Sequence, residues 1–140
     1  MKKYIGVKIV QAEPMSEQKY RGNELDHFND YPGYKVTYPD GYVSWCPKKQ
    51  FEEANREISD MTFGMAIEAL KKGFRVSRSG WNGKGMWLKA MQSTYGVIDL
   101  GEHGIIKAMP WIGMRTATEE FVPWLASQTD ILSEDWGIVE

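Results

Sequence analysis

The ten residues from Arg78 to Trp87 gather the side chains best suited to holding a ligand: Gly80, Gly83, Gly85, Trp81, Trp87, Asn82, Arg78 and Lys84. Glycine in such a run marks a turn that needs positive φ or a backbone that something approaches closely. The indole of Trp81 offers a stacking face, and Arg78 and Lys84 bring positive charge to the same loop. Such a loop could hold a flat anionic ligand, for example a nucleotide. The same residues also describe a tight hairpin that a tryptophan anchors to the core. Residue types alone leave both open.

Reactive chemistry is sparse elsewhere. His27 and His103 fall in loops with no metal-like spacing to other ligands and read as solvated residues. Cys46 is the one cysteine. It can form neither an internal disulfide nor a thiolate zinc site, which fits a reducing cytoplasm, and beside Trp45 on a strand it reads as packing. Gly83-Lys84-Gly85 lacks the spacing and the hydroxyl of a phosphate-binding loop. Asp130, Glu134 and Asp135 form an acidic cluster, but helix capping accounts for Asp130 and solvation for Glu134. A hydrolase built on paired carboxylates has no support beyond that. The balance favours a binding module over an enzyme, with no catalytic residue, metal or cofactor expected.

The elements that must carry the loop follow from periodicity. Tyr4 to Ala12 alternates Ile5, Val7 and Ile9 and reads as a strand. Glu13 to Pro32 reads as a long surface loop. Tyr34–Tyr38 and Tyr42–Cys46 read as strands joined through Pro39-Asp40-Gly41, a strong hairpin signal. Pro47 then opens a helix at its first turn, with Phe51, Ala54, Asn55 and Ile58 on one face. Thr62 reads as the N-cap of a second helix, whose Phe63, Ala66, Ile67 and Leu70 share a face and which Gly73 ends. Phe74–Arg78 and Met86–Met91 read as the strands on either side of the focal loop. Ser93 to Ala108 reads as a loose hairpin around Val97-Ile98 and Ile105-Ile106. Trp111–Thr116 and Phe121–Trp124 read as strands joined by a turn at Thr118-Glu119. Ser127 to Asp130 reads as a capped helical turn, and Asp135–Val139 as a final strand. The fold class is therefore α+β: small antiparallel sheets, each with a packed helix, in a β-β-β-α module over residues 1–58 and a second domain over residues 61–140.

The chain has 140 residues, 42% of them hydrophobic and 13% aromatic, a folded composition. Its formal net charge of −2 does not point to long DNA or RNA. No apolar run approaches the roughly 20 residues of a membrane span. Charge is nonetheless uneven along the chain. Lys71 to Ile98 holds cations and no acid, and Glu119 to Glu140 holds acids and no cation. The two stretches either pair on adjacent strands or leave the basic one facing an anion.

Three separated motifs then occur in order: Met61-Thr62-Phe63-Gly64-Met65-Ala66-Ile67-Glu68-Ala69-Leu70, Arg78-Ser79-Gly80-Trp81-Asn82-Gly83-Lys84, and Pro123 to Trp136. On these, Met61 to Glu140 resembles the phage anti-Thoeris sponge family. The front piece, Tyr4–Lys8 with Tyr38–Trp45, resembles another small phage domain of unknown function. The sponge resemblance implies a protein that catalyses nothing. Its members sequester a cyclic ADP-ribose isomer made by bacterial TIR-domain immune enzymes. They assemble as homotetramers with ligand pockets at subunit interfaces, and some also hold cyclic oligonucleotides from a related cGAS-like pathway. The implied ligand-facing positions are Phe63, Arg78, Trp81, Asn82 and Lys84 from the first two motifs, and Trp124, Ser127, Gln128 and Asp130 from the last. Stacking by Trp81 or Trp124 on adenine would contribute about 1–3 kcal/mol, and Arg78 and Lys84 could meet the pyrophosphate. Phe63 reads equally as core, Trp124 and Trp136 read first as core, and Ser127 and Asp130 read equally as caps.

The expectation is thus a phage sponge for a small cyclic nucleotide signal, acting in the cytoplasm of the infected host with neither membrane nor long nucleic acid as partner. The rival readings are a phosphodiesterase that degrades such signals and a structural protein of the phage.

Overall fold

The computed structural model describes residues 1–22, 29–92 and 96–140. Backbone contacts divide the chain into two units, residues 1–56 and 57–140. Both are α+β with antiparallel sheets.

In the first unit, β1 (Gln11–Pro14), β2 (Gly33–Thr37) and β3 (Val43–Pro47) form a three-stranded sheet in that order, with α1 (Glu17–Arg21) between β1 and β2 and α2 (Lys48–Ala54) after β3. The β2–β3 turn is built as its residues dictate. Gly41 takes φ 88° and Asp40 Oδ1 accepts from the Tyr42 amide at 3.0 Å. Phe51 of α2 stacks on Tyr34 of β2 at 4.3 Å between ring centroids, which seats the helix on the sheet.

Three expectations change here. The first strand is not Tyr4–Ala12 but Gln11–Pro14, and Tyr4, Ile5, Val7 and Ile9 are exposed. The reason is register: Gln11 pairs with Thr37, the last residue of β2, so residues before it have no strand beside them. The Glu13–Pro32 loop contains the end of β1 and α1, which Ser16 caps at its start and left-handed Gly22 at its end. α2 stops at Ala54, because Asn55 is extended and its side-chain Nδ2 donates to the Phe51 carbonyl at 2.9 Å. Pro47 lies at the cap position, one residue earlier than expected, and Ile58 lies outside the helix. His27 and Ser93 fall outside the described residues.

In the second unit, α3 (Phe63–Lys71) precedes β4 (Arg75–Arg78) and β5 (Trp87–Met91). A small ribbon of β6 (Val97–Asp99) and β7 (Ile105–Lys107) follows, then β8 (Trp111–Arg115), β9 (Phe121–Pro123), α4 (Gln128–Leu132) and β10 (Trp136–Val139). The main sheet has the order β10-β4-β5-β8-β9 and is antiparallel throughout. Strand alternation sends Val76, Leu88 and Trp136 to one face, where they are buried with Ala66, Ala69 and Leu70 of α3 and with Met61. Ala66 and Ala69 let the helix approach the sheet closely. The last strand returns between β4 and the segment at Met61, whose amide donates to the Trp136 carbonyl at 2.8 Å. That return places β10 beside the focal loop.

Candidate ligand-binding site

The site is assembled where the focal loop, the start of α3 and the turn before β10 meet. Thr62 caps α3, its Oγ1 accepting from the Met65 amide at 3.3 Å, which fixes Phe63 as the first helical residue. Trp136 is fully buried and its Nε1 donates to the Asp130 carbonyl at 2.9 Å. Around it stand three half-buried rings. Trp81 and Trp124 meet it edge-on at 5.4 and 6.0 Å, Phe63 lies tilted at 5.5 Å, and Trp81 and Trp124 lie 6.4 Å apart. Such edge-to-face contacts suit the ring quadrupoles and add to the burial term.

Beside the rings lies a charged network. Ser127 and Asp130 form a full capping box at the start of α4: Ser127 Oγ accepts from the Asp130 amide, and Asp130 Oδ2 accepts from the Ser127 amide at 3.0 Å and from its hydroxyl at 2.8 Å. Asp130 Oδ1 accepts from Arg78 Nη1 at 2.8 Å and from Trp81 Nε1 at 3.2 Å. These contacts occupy the acceptor sites of the carboxylate. Arg78 donates in addition from Nε to Asp135 Oδ1 at 2.9 Å. Asp135 Oδ2 takes the Gly80 amide at 2.7 Å, and a Cβ on Gly80 would stand 2.7 Å from that same oxygen. A side chain at position 80 would therefore displace Asp135 Oδ2 from its place on the loop amide. Gly85, at φ 69°, offers its carbonyl to Arg115 Nη1 at 2.7 Å and closes the other end of the loop.

The electrostatics follow from this geometry. Burial pushes the Asp130 carboxyl up, but the Ser127 amide, the Arg78 guanidinium, the Ser127 hydroxyl and Trp81 Nε1 together hold it down at about 2. Arg78 lowers Asp135 first, against burial, and the Gly80 amide adds to it. The two carboxylates raise Arg78 in turn. Arg78 and Asp130 side chains are each only 12% exposed. A carboxylate so fully donated to is a firm structural acceptor and a weak base. Among the described residues, no group of three or more His, Cys, Asp or Glu is placed to hold a metal ion.

The nine residues singled out from the sequence thus divide. Phe63, Arg78, Trp81, Trp124, Ser127 and Asp130 come together as one wall of rings and ion pairs. Asn82, Lys84 and Gln128 are exposed, the first two on the loop and the third at the start of α4. Two residues of the wall lay outside the selected nine. Asp135 is the second partner of Arg78, and Trp136 is the ring on which the others pack. The acidic tract opposite the basic one was their signal, since Trp136 stands directly across from Arg78 in the β10–β4 register. A groove of about 770 Å³ lies instead in the first unit, lined by Tyr31, Pro32, Trp45 and Pro47 among others. None of the nine residues lines it.

The family model of the Thoeris anti-defense 2-like domain matches residues 61–139. The chain belongs to that family. A curated relative, Thoeris anti-defense 2 of Bacillus phage SP01, is 44% identical over 84 residues, covering 56% of this chain and 94% of that protein. The Thoeris anti-defense 2-like domain therefore coincides with the unit that holds the ring cluster and its ion pairs, and the first unit lies outside the match. Among the described residues, no helix is long and apolar enough to cross a membrane.

Proposed function

We propose that this protein is a phage anti-defence sponge. In this reading it binds a cyclic nucleotide immune signal of the Thoeris pathway, a cyclic ADP-ribose isomer, and withholds it without cleaving it in the cytoplasm of the infected cell. The observation that carries the reading is the half-buried trio Phe63, Trp81 and Trp124 on the wall of a domain of this family. Rings held from behind by Trp136 offer pre-set stacking surfaces for an adenine, and rigidity in the free protein lowers the entropy cost of binding.

The residues take different parts. Phe63, Trp81 and Trp124 stack. Asn82, Lys84 and Gln128, which are exposed, supply polar and charged contacts to ribose and phosphate. Arg78, Ser127 and Asp130 are positioning residues: their donors and acceptors are already engaged with one another and with Trp81. Nanomolar capture requires about −12 kcal/mol, more than one stacked base and one charge supply. A second protomer closing the pocket fits that need. Leu125, next to Trp124, is 91% exposed, and Leu132 at the end of α4 is 76% exposed, an apolar rim suited to a homotetramer interface. The same design could hold the cyclic oligonucleotides of the cGAS-like pathway.

The test is calorimetry of the full chain against cyclic ADP-ribose isomers and cyclic oligonucleotides, followed by heating and chromatography of what is released. The expected result is saturable binding and recovery of intact ligand. Asn82→Ala and Lys84→Ala, at exposed positions, should each weaken binding about tenfold, equivalent to about 1.4 kcal/mol, with the melting temperature unchanged. Absence of binding to every one of these ligands would sink the reading, and release of hydrolysed products would replace it with a phosphodiesterase.

A further inference from the structure

The sheet face turned away from α3 carries a second aromatic group. Strand register places Trp87, Lys89, Trp111, Arg115 and Phe121 on that face, and Arg75 joins them from β4. The ring of Phe121 lies across Gly113, where a Cβ would collide with it. Trp87 and Trp111 flank that ring at 6.1 and 5.9 Å, and the Arg75 guanidinium lies over Trp87 at 5.2 Å. Trp111 and Phe121 are each 43% exposed, and Lys89 is exposed beside them. No strand position on this face is acidic. Glu119, which pairs with Arg115 at 2.8 Å, comes from the β8–β9 turn.

This composition selects the partner. A second copy laid face to face would form a sheet sandwich, but it would bring two copies of Arg75 and Lys89 into a drying interface in which, among the described residues, only Arg115 has its own carboxylate, which is costly. An anion with flat apolar faces meets both features at once. Aromatic rings in a row accept successive bases, and flanking cations meet the phosphates. The face offers no side-chain amide or carboxylate at a strand position to read base edges, so recognition there rests on stacking and charge.

We propose that this open face binds a short single strand of nucleic acid, about four nucleotides at the low end for a stacking platform, with little preference for base or sugar. The overall net charge of −2 hides this local basic character. The proposal is independent of the ring pocket, which lies on the α3 side of the same sheet.

Fluorescence anisotropy of end-labelled twelve-nucleotide dT and rU strands, titrated with the full chain, tests it. The expected result is saturable binding to both within about threefold of each other, weakening at least about tenfold between roughly 50 and 200 mM salt. A duplex of the same length should bind at least about tenfold more weakly, since its bases are not free to stack. Trp111→Ala should weaken binding about fivefold or more, and Lys89→Glu, at an exposed position that cannot disturb the core, should do the same through charge. No anisotropy rise at protein concentrations up to about 100 μM, the weak end of the range of non-specific binding, would overturn the proposal. Equal binding to duplex would overturn it as well. So would a drop in solution mass on Trp111→Ala, which would assign the face to another copy of the chain.

Discussion

The two faces of the five-stranded sheet both carry tryptophan and phenylalanine, and they treat charge in opposite ways. On the α3 side, Phe63, Trp81 and Trp124 close on the fully buried Trp136, and every ionic group of the network is matched: Arg78 by Asp130 and Asp135, and the carboxylate of Asp130 by four donors. On the other side, Trp87, Phe121 and Trp111 lie in a half-exposed row among Arg75, Lys89 and Arg115, and Glu119, the carboxylate that pairs with Arg115, comes from a turn. The first arrangement is expensive to disturb and holds a surface in shape. The second leaves Lys89 and parts of the Trp111 and Phe121 rings exposed to a partner.

Replacing a ring on each face is the strongest way to break the comparison. Trp136→Ala should destabilise the protein by about 4 kcal/mol, as a large buried aromatic lost to a cavity does, whereas Trp111→Ala should cost about 1 kcal/mol or less. Denaturant unfolding of the two variants measures both, and equal losses would erase the distinction. Next in size is Arg78→Met, expected to cost about 3 kcal/mol because it leaves the buried Asp130 and the half-buried Asp135 carboxylates without their cation. That loss should shrink in the double variant with Asp130→Asn, and a double variant as unstable as the single one would show that the guanidinium matters through packing alone.

The pH dependence comes third. Asp130 is held at about 2 against an ordinary 3.8. A lowered carboxyl pKa gives stability that is fully present above the ordinary value and is lost as pH falls through the folded one. The contribution, about 2 kcal/mol, should therefore persist down to about pH 4 and disappear by about pH 2, with Asp135 adding in the same direction. Unfolding free energies of the native chain and of Asp130→Asn across that window check the sign, and parallel profiles would remove Asp130 as the source. The smallest effect is expected at Gly113→Ala. Its Cβ would meet the Phe121 ring, but Phe121 is half exposed and can swing outward, so the stability loss should stay near 1 kcal/mol. Oligonucleotide binding should fall with it, since the aromatic row would be broken.

Much of this architecture was open to reading from residue order. The caps at Thr62 and Ser127, the Asp40-Gly41 turn and the alternation of β4, β5, β8 and β10 are local matters of hydrogen bonding and side-chain period. The Tyr4–Ala12 segment shows where local reasoning ended: its alternation is strand-like, but a strand exists only where another backbone lies beside it, and β2 stops at Thr37. The focal loop behaved in the same way. Its glycines and its two cations announced an unusual turn, yet whether Arg78 faced solvent or a carboxylate depended on Asp135, 57 residues away.

The chain order alone set the elements, their caps, the family of the second domain and the clustering of Trp, Gly and cation that marks the site, because those depend on neighbours within a few residues or on motifs in sequence. Long-range pairing determined the rest. By returning β10 beside β4, the fold brought Trp136 under Trp81 and Asp135 onto Arg78 and Gly80. It also sorted the tryptophans between a buried wall and an open face, since a side chain's partners across a sheet are set by register, and register is a property of the whole domain.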